Sequence, residues 1–119
     1  MDDFKPRTRN NPEKKIQDAI QKFMEARGWL VKNTHGNAFQ SGFPDLYTHH
    51  PVYKERWVEV KNPSAYKFTQ AQKIWFPRFT AHKCGIWVLV AATEAEYAKL
   101  FQPPNWTDYC KDLRPRGLR

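Results

Sequence analysis

The chain has 119 residues, of which 40% are hydrophobic and 15% aromatic, enough for one packed core and too few for two. Twenty Lys and Arg against twelve Asp and Glu give a net charge of +8, which favours a polyanionic partner, either nucleic acid or an anionic membrane surface. No apolar run reaches the roughly eighteen residues of a bilayer span, the N-terminus lacks the apolar core of a secretory signal, and Cys84 and Cys110 stand alone without a CxxC pattern. A cytoplasmic domain with reduced thiols and no membrane partner is expected.

In chain order, residues 1–11 read as a flexible basic arm. Asn11-Pro12 is a helix start, and Ile16, Ala19, Ile20, Phe23 and Met24 recur at helical spacing until Gly28 ends the run. Trp29-Leu30-Val31 reads as a strand, and residues 33–43 as a polar, glycine-bearing loop. Asp45–His50 and Arg56–Lys61 form a predicted antiparallel hairpin turning near Tyr53. Thr69 can cap a second helix with a stripe of Ala71, Ile74, Trp75 and Phe79, which Pro77 is expected to kink or divide. Ile86–Ala91 is apolar throughout, the pattern of a strand covered on both faces. Thr93–Leu100 predicts a short third helix. The order αβββαβ implies an α/β fold, a small mixed β-sheet flanked by helices, over residues 12–102. Residues 103–119 read as a C-terminal basic tail.

The segment GFPDLYTHHPVYKERWVEVK (residues 42–61) carries the chemistry. With a turn near Tyr53, Asp45 would lie opposite Lys61 and Glu59 opposite Tyr47, so Asp45, Glu59 and Lys61 share one face while Val58 and Val60 point to the core. Two carboxylates brought together raise one another's pKa unless a cation lies between them. Mg²⁺ takes few carboxylates and completes its shell with water and phosphate oxygens. A neighbouring lysine can act on the attacking water or on the charge building at phosphate. The alternative is a solvated strand face, since E-x-K is common on amphipathic strands. Glu13 lies three and seven residues before Ile16 and Ile20, so it prolongs the apolar face of the first helix, where an acid needs a partner.

Ser41-Gly42-Phe43-Pro44-Asp45-Leu46, Trp57-Val58-Glu59-Val60-Lys61, Phe68-Thr69-Gln70-Ala71-Gln72, and Glu13 with Ile16-Gln17 together resemble the VRR-NUC branch of the PD-(D/E)XK nuclease superfamily, whose members include Holliday-junction-resolvase-like enzymes. The resemblance spans about residues 12–91. It implies a restriction-endonuclease-like core and a Mg²⁺- or Mn²⁺-dependent DNA endonuclease. Asp45, Glu59 and the backbone carbonyl of Val60 would be metal ligands, with Glu13 acting directly or through water. Lys61 would be the catalytic lysine, and Gln72 would orient it or the substrate.

His35, Gln40 and Ser41 lie in the loop before Asp45 and are candidates to contact the phosphate or the attacking water. Lys67 and Lys73, with Arg78 and Lys83, border the second helix and could follow a nucleic-acid backbone. His49-His50 lack a third ligand at metal spacing and read as structural. One small domain has little surface for base readout, so branched or flapped DNA is the expected substrate. Cutting both strands of a junction implies a homodimer, for which the aromatics near Phe76, Phe79 and the C-terminal tryptophan offer surface. The rival readings are a non-catalytic nucleic-acid-binding module, a ribonuclease, or a sequence-specific restriction nuclease.

Overall fold

A computed structural model describes residues 12–34 and 41–111. Helix α1 (Pro12–Glu25) is followed by β1 (Leu30–Asn33), β2 (Leu46–His50), β3 (Lys54–Val60), α2 (Gln70–Ala81) and β4 (Ile86–Leu89). A single turn α3 (Glu94–Tyr97) runs into a 3₁₀ turn (Ala98–Phe101), and α4 (Trp106–Tyr109) closes the described chain. The four strands form one sheet in the order β1-β2-β3-β4. The first two pairings are antiparallel, while β3 and β4 are parallel and joined through α2. Parallel neighbours need such a crossover. The predicted α/β class, a mixed sheet between helices, is the observed one.

Alternation along the strands splits the interior into two layers. Val58, Val60, Trp87 and Leu89 meet Ile20 and Met24 of α1 on one face. Ile86 and Val88 meet Phe76 and Phe79 of α2 and Trp106 on the other. Every β4 residue is therefore buried, as its apolar run required. Trp106 and Cys110, which follow Pro103, belong to this packing, since both are buried. Asn105 also closes the outer edge of β4: its side chain accepts from the Val88 N–H at 2.6 Å and donates to the Val88 carbonyl at 3.2 Å. A sheet edge left bare would invite pairing with another chain.

Several expectations are corrected. The hairpin pairs Leu46 with Val58 and His50 with Lys54, two residues tighter than a turn at Tyr53 would give. The His50 ring is the cause: Nδ1 accepts the Val52 N–H at 3.0 Å, closing a three-residue loop that Lys54 leaves at φ +71°. Continuing this register sets Asp45 opposite Glu59, not Lys61, and sets Tyr47 opposite Trp57, not Glu59. A two-residue shift preserves the faces, so the shared side of Asp45, Glu59 and Lys61 survives.

Helix α2 runs through Pro77 without division, and its buried line is Gln72, Phe76 and Phe79. Ile74 is 54% exposed and Trp75 37% exposed, so the stripe of Ala71, Ile74 and Trp75 was placed on the wrong side. Phe76, Phe79 and Trp106 are buried, so they offer no surface to a second copy. On α1, Gln17, Ile20 and Met24 are buried and Ala19 is exposed. The third helix ends at Tyr97, sooner than its pattern suggested. No helix among the described residues is long and apolar enough to cross a membrane.

Candidate active site

Asp45, Glu59 and Lys61 are 8%, 2% and 3% exposed, which excludes a solvated strand face. They lie under the N-terminal half of α2, on the side of the sheet that α2 covers. Leaving charged groups this dry costs several kcal/mol unless each is paired or hydrogen-bonded, and the surrounding contacts show how far that need is met.

Asp45 precedes β2 directly. Its Oδ2 accepts the Val60 N–H at 2.7 Å, which ties the entrance of β2 to the end of β3. The next amide, Lys61 N–H, turns the other way and donates to Leu89 of β4 at 3.1 Å. In an extended strand the N–H and C=O of one residue point to the same edge, so the Val60 carbonyl faces the Asp45 side. The Asp45 backbone is held in turn by Thr34. The Asp45 carbonyl accepts from the Thr34 N–H at 3.0 Å and from its hydroxyl at 3.1 Å, and the hydroxyl also donates to the Pro44 carbonyl. Thr34 is buried.

Glu59 Oε2 accepts from Lys61 Nζ at 3.0 Å and from Gln72 Nε2 at 2.9 Å. Its other oxygen, Oε1, is buried with no hydrogen-bond partner among the described residues. Burial, then the nearby charge of Asp45, pushes the Glu59 carboxyl up to about 8, against a weaker pull downward from Lys61 and Gln72. Lys61 Nζ also donates to the Lys67 carbonyl at 2.7 Å and to Gln72 Oε1 at 3.2 Å, and sits 4.3 Å from the Phe68 ring centroid. Gln72 Oε1 accepts a further bond from the Thr69 N–H at 3.0 Å, while the Thr69 hydroxyl accepts the Gln72 N–H at 3.0 Å. This reciprocal helix cap fixes the Gln72 amide with its oxygen toward the lysine and its nitrogen toward the glutamate.

Glu13 reaches the same end of β3. Its Oε2 accepts the Asn62 N–H at 3.2 Å, one residue beyond Lys61. Ser41 is exposed. It precedes Gly42, whose φ of +88° and closeness to α2 exclude a side chain: an added Cβ would stand 2.7 Å from Trp75 and 2.9 Å from the Ala71 carbonyl. Lys67 is exposed and Lys73 half-buried beside it. His35 and Gln40 lie outside the described residues. The contribution of Thr34 was missed: it follows a strand by one residue, and no periodicity marks it.

These donors fit a hard divalent cation. An unsatisfied buried carboxylate oxygen, a second carboxylate opposite it and a carbonyl on the same edge are oxygen ligands of the kind and number Mg²⁺ uses. Among the described residues no three His, Cys, Asp or Glu side chains cluster for a metal, so an all-side-chain cage is absent from them.

The mixed four-stranded α/β sheet with flanking helices defines the fold class, a restriction-endonuclease-like core. Within it, the chain is similar to a solved VRR_NUC domain, with 24% identity and a TM-score of 0.63 over 77% of this chain and 97% of that one. The fold is that of a VRR-NUC domain. No protein-family model matches the sequence, and no curated protein does.

Proposed function

We propose that the protein is a divalent-metal-dependent endodeoxyribonuclease, using Mg²⁺ or Mn²⁺ to hydrolyse phosphodiester bonds in branched or flapped DNA. The observation that carries this is the orphaned Glu59 Oε1, held beside Asp45 and Lys61 in the interior of a VRR-NUC fold. A structural ion pair would have no reason to leave one oxygen bare and a second acid opposite.

Asp45, Glu59 and the Val60 carbonyl would hold the cation, with Glu13 assisting through the Asn62 turn. When bound, the cation would supply Lewis acidity at the phosphate and a more acidic water. The chain's own groups do the rest. Lys61 is the catalytic lysine: its three N–H donors go to Glu59, Gln72 and the Lys67 carbonyl, so meeting the phosphate requires giving up one of them. Of these, the Glu59 contact would be the one to yield if Glu59 also held a cation. Gln72 keeps the lysine aligned during the exchange. His35, Gln40, Ser41, Lys67 and Lys73 would contact the substrate strand, in keeping with the net charge of +8. A homodimer in the cytoplasm is the proposed working form, with Ile74 and Trp75 as exposed apolar surface on α2.

The experiment is incubation with labelled duplex, single-strand, flap and four-way DNA, with and without Mg²⁺. Mg²⁺-dependent nicking of branched substrates in preference to plain duplex is expected. Binding without cleavage in both Mg²⁺ and Mn²⁺ would leave only a nucleic-acid-binding module. Light scattering with and without junction DNA reports the dimer.

A further inference from the structure

Two adjoining clefts share the rings of Tyr66 and Tyr109. The smaller, about 190 Å³, is walled by those rings with Phe68, Lys67 and Lys73. The larger, about 510 Å³, runs on from them past Lys99 and Asp108. The groove begins on the far side of the wall that holds the catalytic lysine: Phe68 is the ring on which Lys61 Nζ rests, and Lys67 supplies the carbonyl it donates to.

The lining has two kinds of chemistry. Tyr66 is 36% exposed and stands 5.8 Å from the Tyr109 ring and 6.3 Å from Phe68. Lys67 and Lys73 stand at the near end and Lys99 farther along. Lys99 donates to Glu96 at 2.7 Å and to the Tyr109 hydroxyl at 2.8 Å, leaving one of its three donors over among the described residues. Burial lowers its pKa, but Glu96 and Tyr109 outweigh that and raise it, so it is a cation throughout the neutral range. Asp108 is the acid of the larger cleft.

We propose that this groove holds an unpaired nucleic-acid strand running from the bond to be cut, the place where the single-stranded arm of a flapped substrate would lie. A base within a duplex has both faces covered by its neighbours, and only an unpaired one can lie on Tyr66; the lysines track the backbone. The position of the scissile bond rests on the nuclease reading above. Strand binding by the groove does not.

The test uses the full chain in Ca²⁺, with anisotropy of a labelled oligothymidylate of roughly a dozen nucleotides and of a blunt duplex of similar length. Tyr66→Ala should weaken the oligothymidylate about tenfold and the duplex less than about twofold. Tyr66→Phe, which keeps the ring, should restore strand binding. An equal loss on both probes, or unchanged affinity for oligothymidylate, overturns the groove. The two readings fail separately. A wild-type protein that shows this pattern but cuts nothing in Mg²⁺ sustains the groove and removes the nuclease. One that cuts branched DNA while Tyr66→Ala binds the strand normally removes the groove alone.

Discussion

Gln72 and Glu59 meet in the interior, amide nitrogen to carboxylate oxygen at 2.9 Å, and through this bond the first turn of α2 is fastened to the end of β3. The same amide holds Lys61 and closes the helix cap, so one side chain positions both an acid and a base-like partner. Gln72→Met keeps the bulk and removes all of these bonds. It leaves buried polar groups unmatched, at about 1–3 kcal/mol. Cleavage should fall by roughly 10–100-fold, the usual effect of losing a group that orients a ligand. Thermal melts and single-turnover rates measure the two. A variant as active as the parent would show that α2 supports the fold and not the chemistry.

Thr34 invites a parallel substitution on the other acid. Thr34→Val preserves shape and the Asp45-directed N–H, but strips the hydroxyl from the Pro44 and Asp45 carbonyls. A stability loss of about 1–2 kcal/mol is expected for buried acceptors left with fewer partners. Cleavage should drop as well, because Asp45 is then held by fewer contacts. Denaturant midpoints alongside rates at saturating Mg²⁺ check both halves. Lost stability with unchanged rate would confine Thr34 to folding.

Glu59 makes the metal-free protein sensitive to pH. Its carboxyl is pushed from an ordinary 4.5 up to about 8 in the folded state, by burial first and by Asp45 second. Between those values the folded chain holds a proton that the unfolded chain has released, so stability falls as pH rises through this window. Below it both states are protonated and above it neither is, and the slope vanishes. Glu59→Gln, which copies the protonated acid, should flatten the slope, melt higher than wild type near pH 8 without metal, and lose cleavage. If Glu59 is a ligand of Mg²⁺, binding has to displace the same proton, and the apparent affinity should climb across the window. Melting curves from pH 5 to 9 in EDTA and in Mg²⁺ decide the matter. A slope of the opposite sign would mean that Glu59 is charged without a cation.

The elements were legible where apolar spacing alone decides them. The all-apolar β4 and the Thr69 cap are examples, and so is the inner face of α1 that Glu13 prolongs toward Asn62. The inner face of α2 was not. Its true line begins with a buried glutamine, and a search for apolar periodicity passes over a polar residue and settles on Ile74 and Trp75. Gln72 is buried by its bonds to Glu59 and Lys61 and by its place in the helix cap, none of which apolar spacing registers. The hairpin register failed for a different reason: a ring nitrogen of His50 closes the turn, and no spacing rule contains that contact. The acid-lysine set was legible as a pattern, but its burial and the bare Glu59 oxygen came only from packing the helix over it.

Asp45 separates an enzyme from a binding module most sharply. Its carboxylate accepts the Val60 N–H at 2.7 Å, and Asp45→Asn can keep that bond through the amide oxygen while removing the charge. If Asp45 helps hold a cation, cleavage of flap or four-way DNA in Mg²⁺ should collapse by about three orders of magnitude or more. Binding of the same DNA in Ca²⁺ should survive or tighten, because a negative charge has left the approach of phosphate. A second readout needs no turnover. The charge of Asp45 is one of the two causes that raise Glu59, so its removal should move the pH-dependent loss of stability to lower pH. Melting the variant in EDTA across the same pH range measures that shift. Full cleavage by Asp45→Asn would remove Asp45 from the metal site, even with the shift in Glu59 in place.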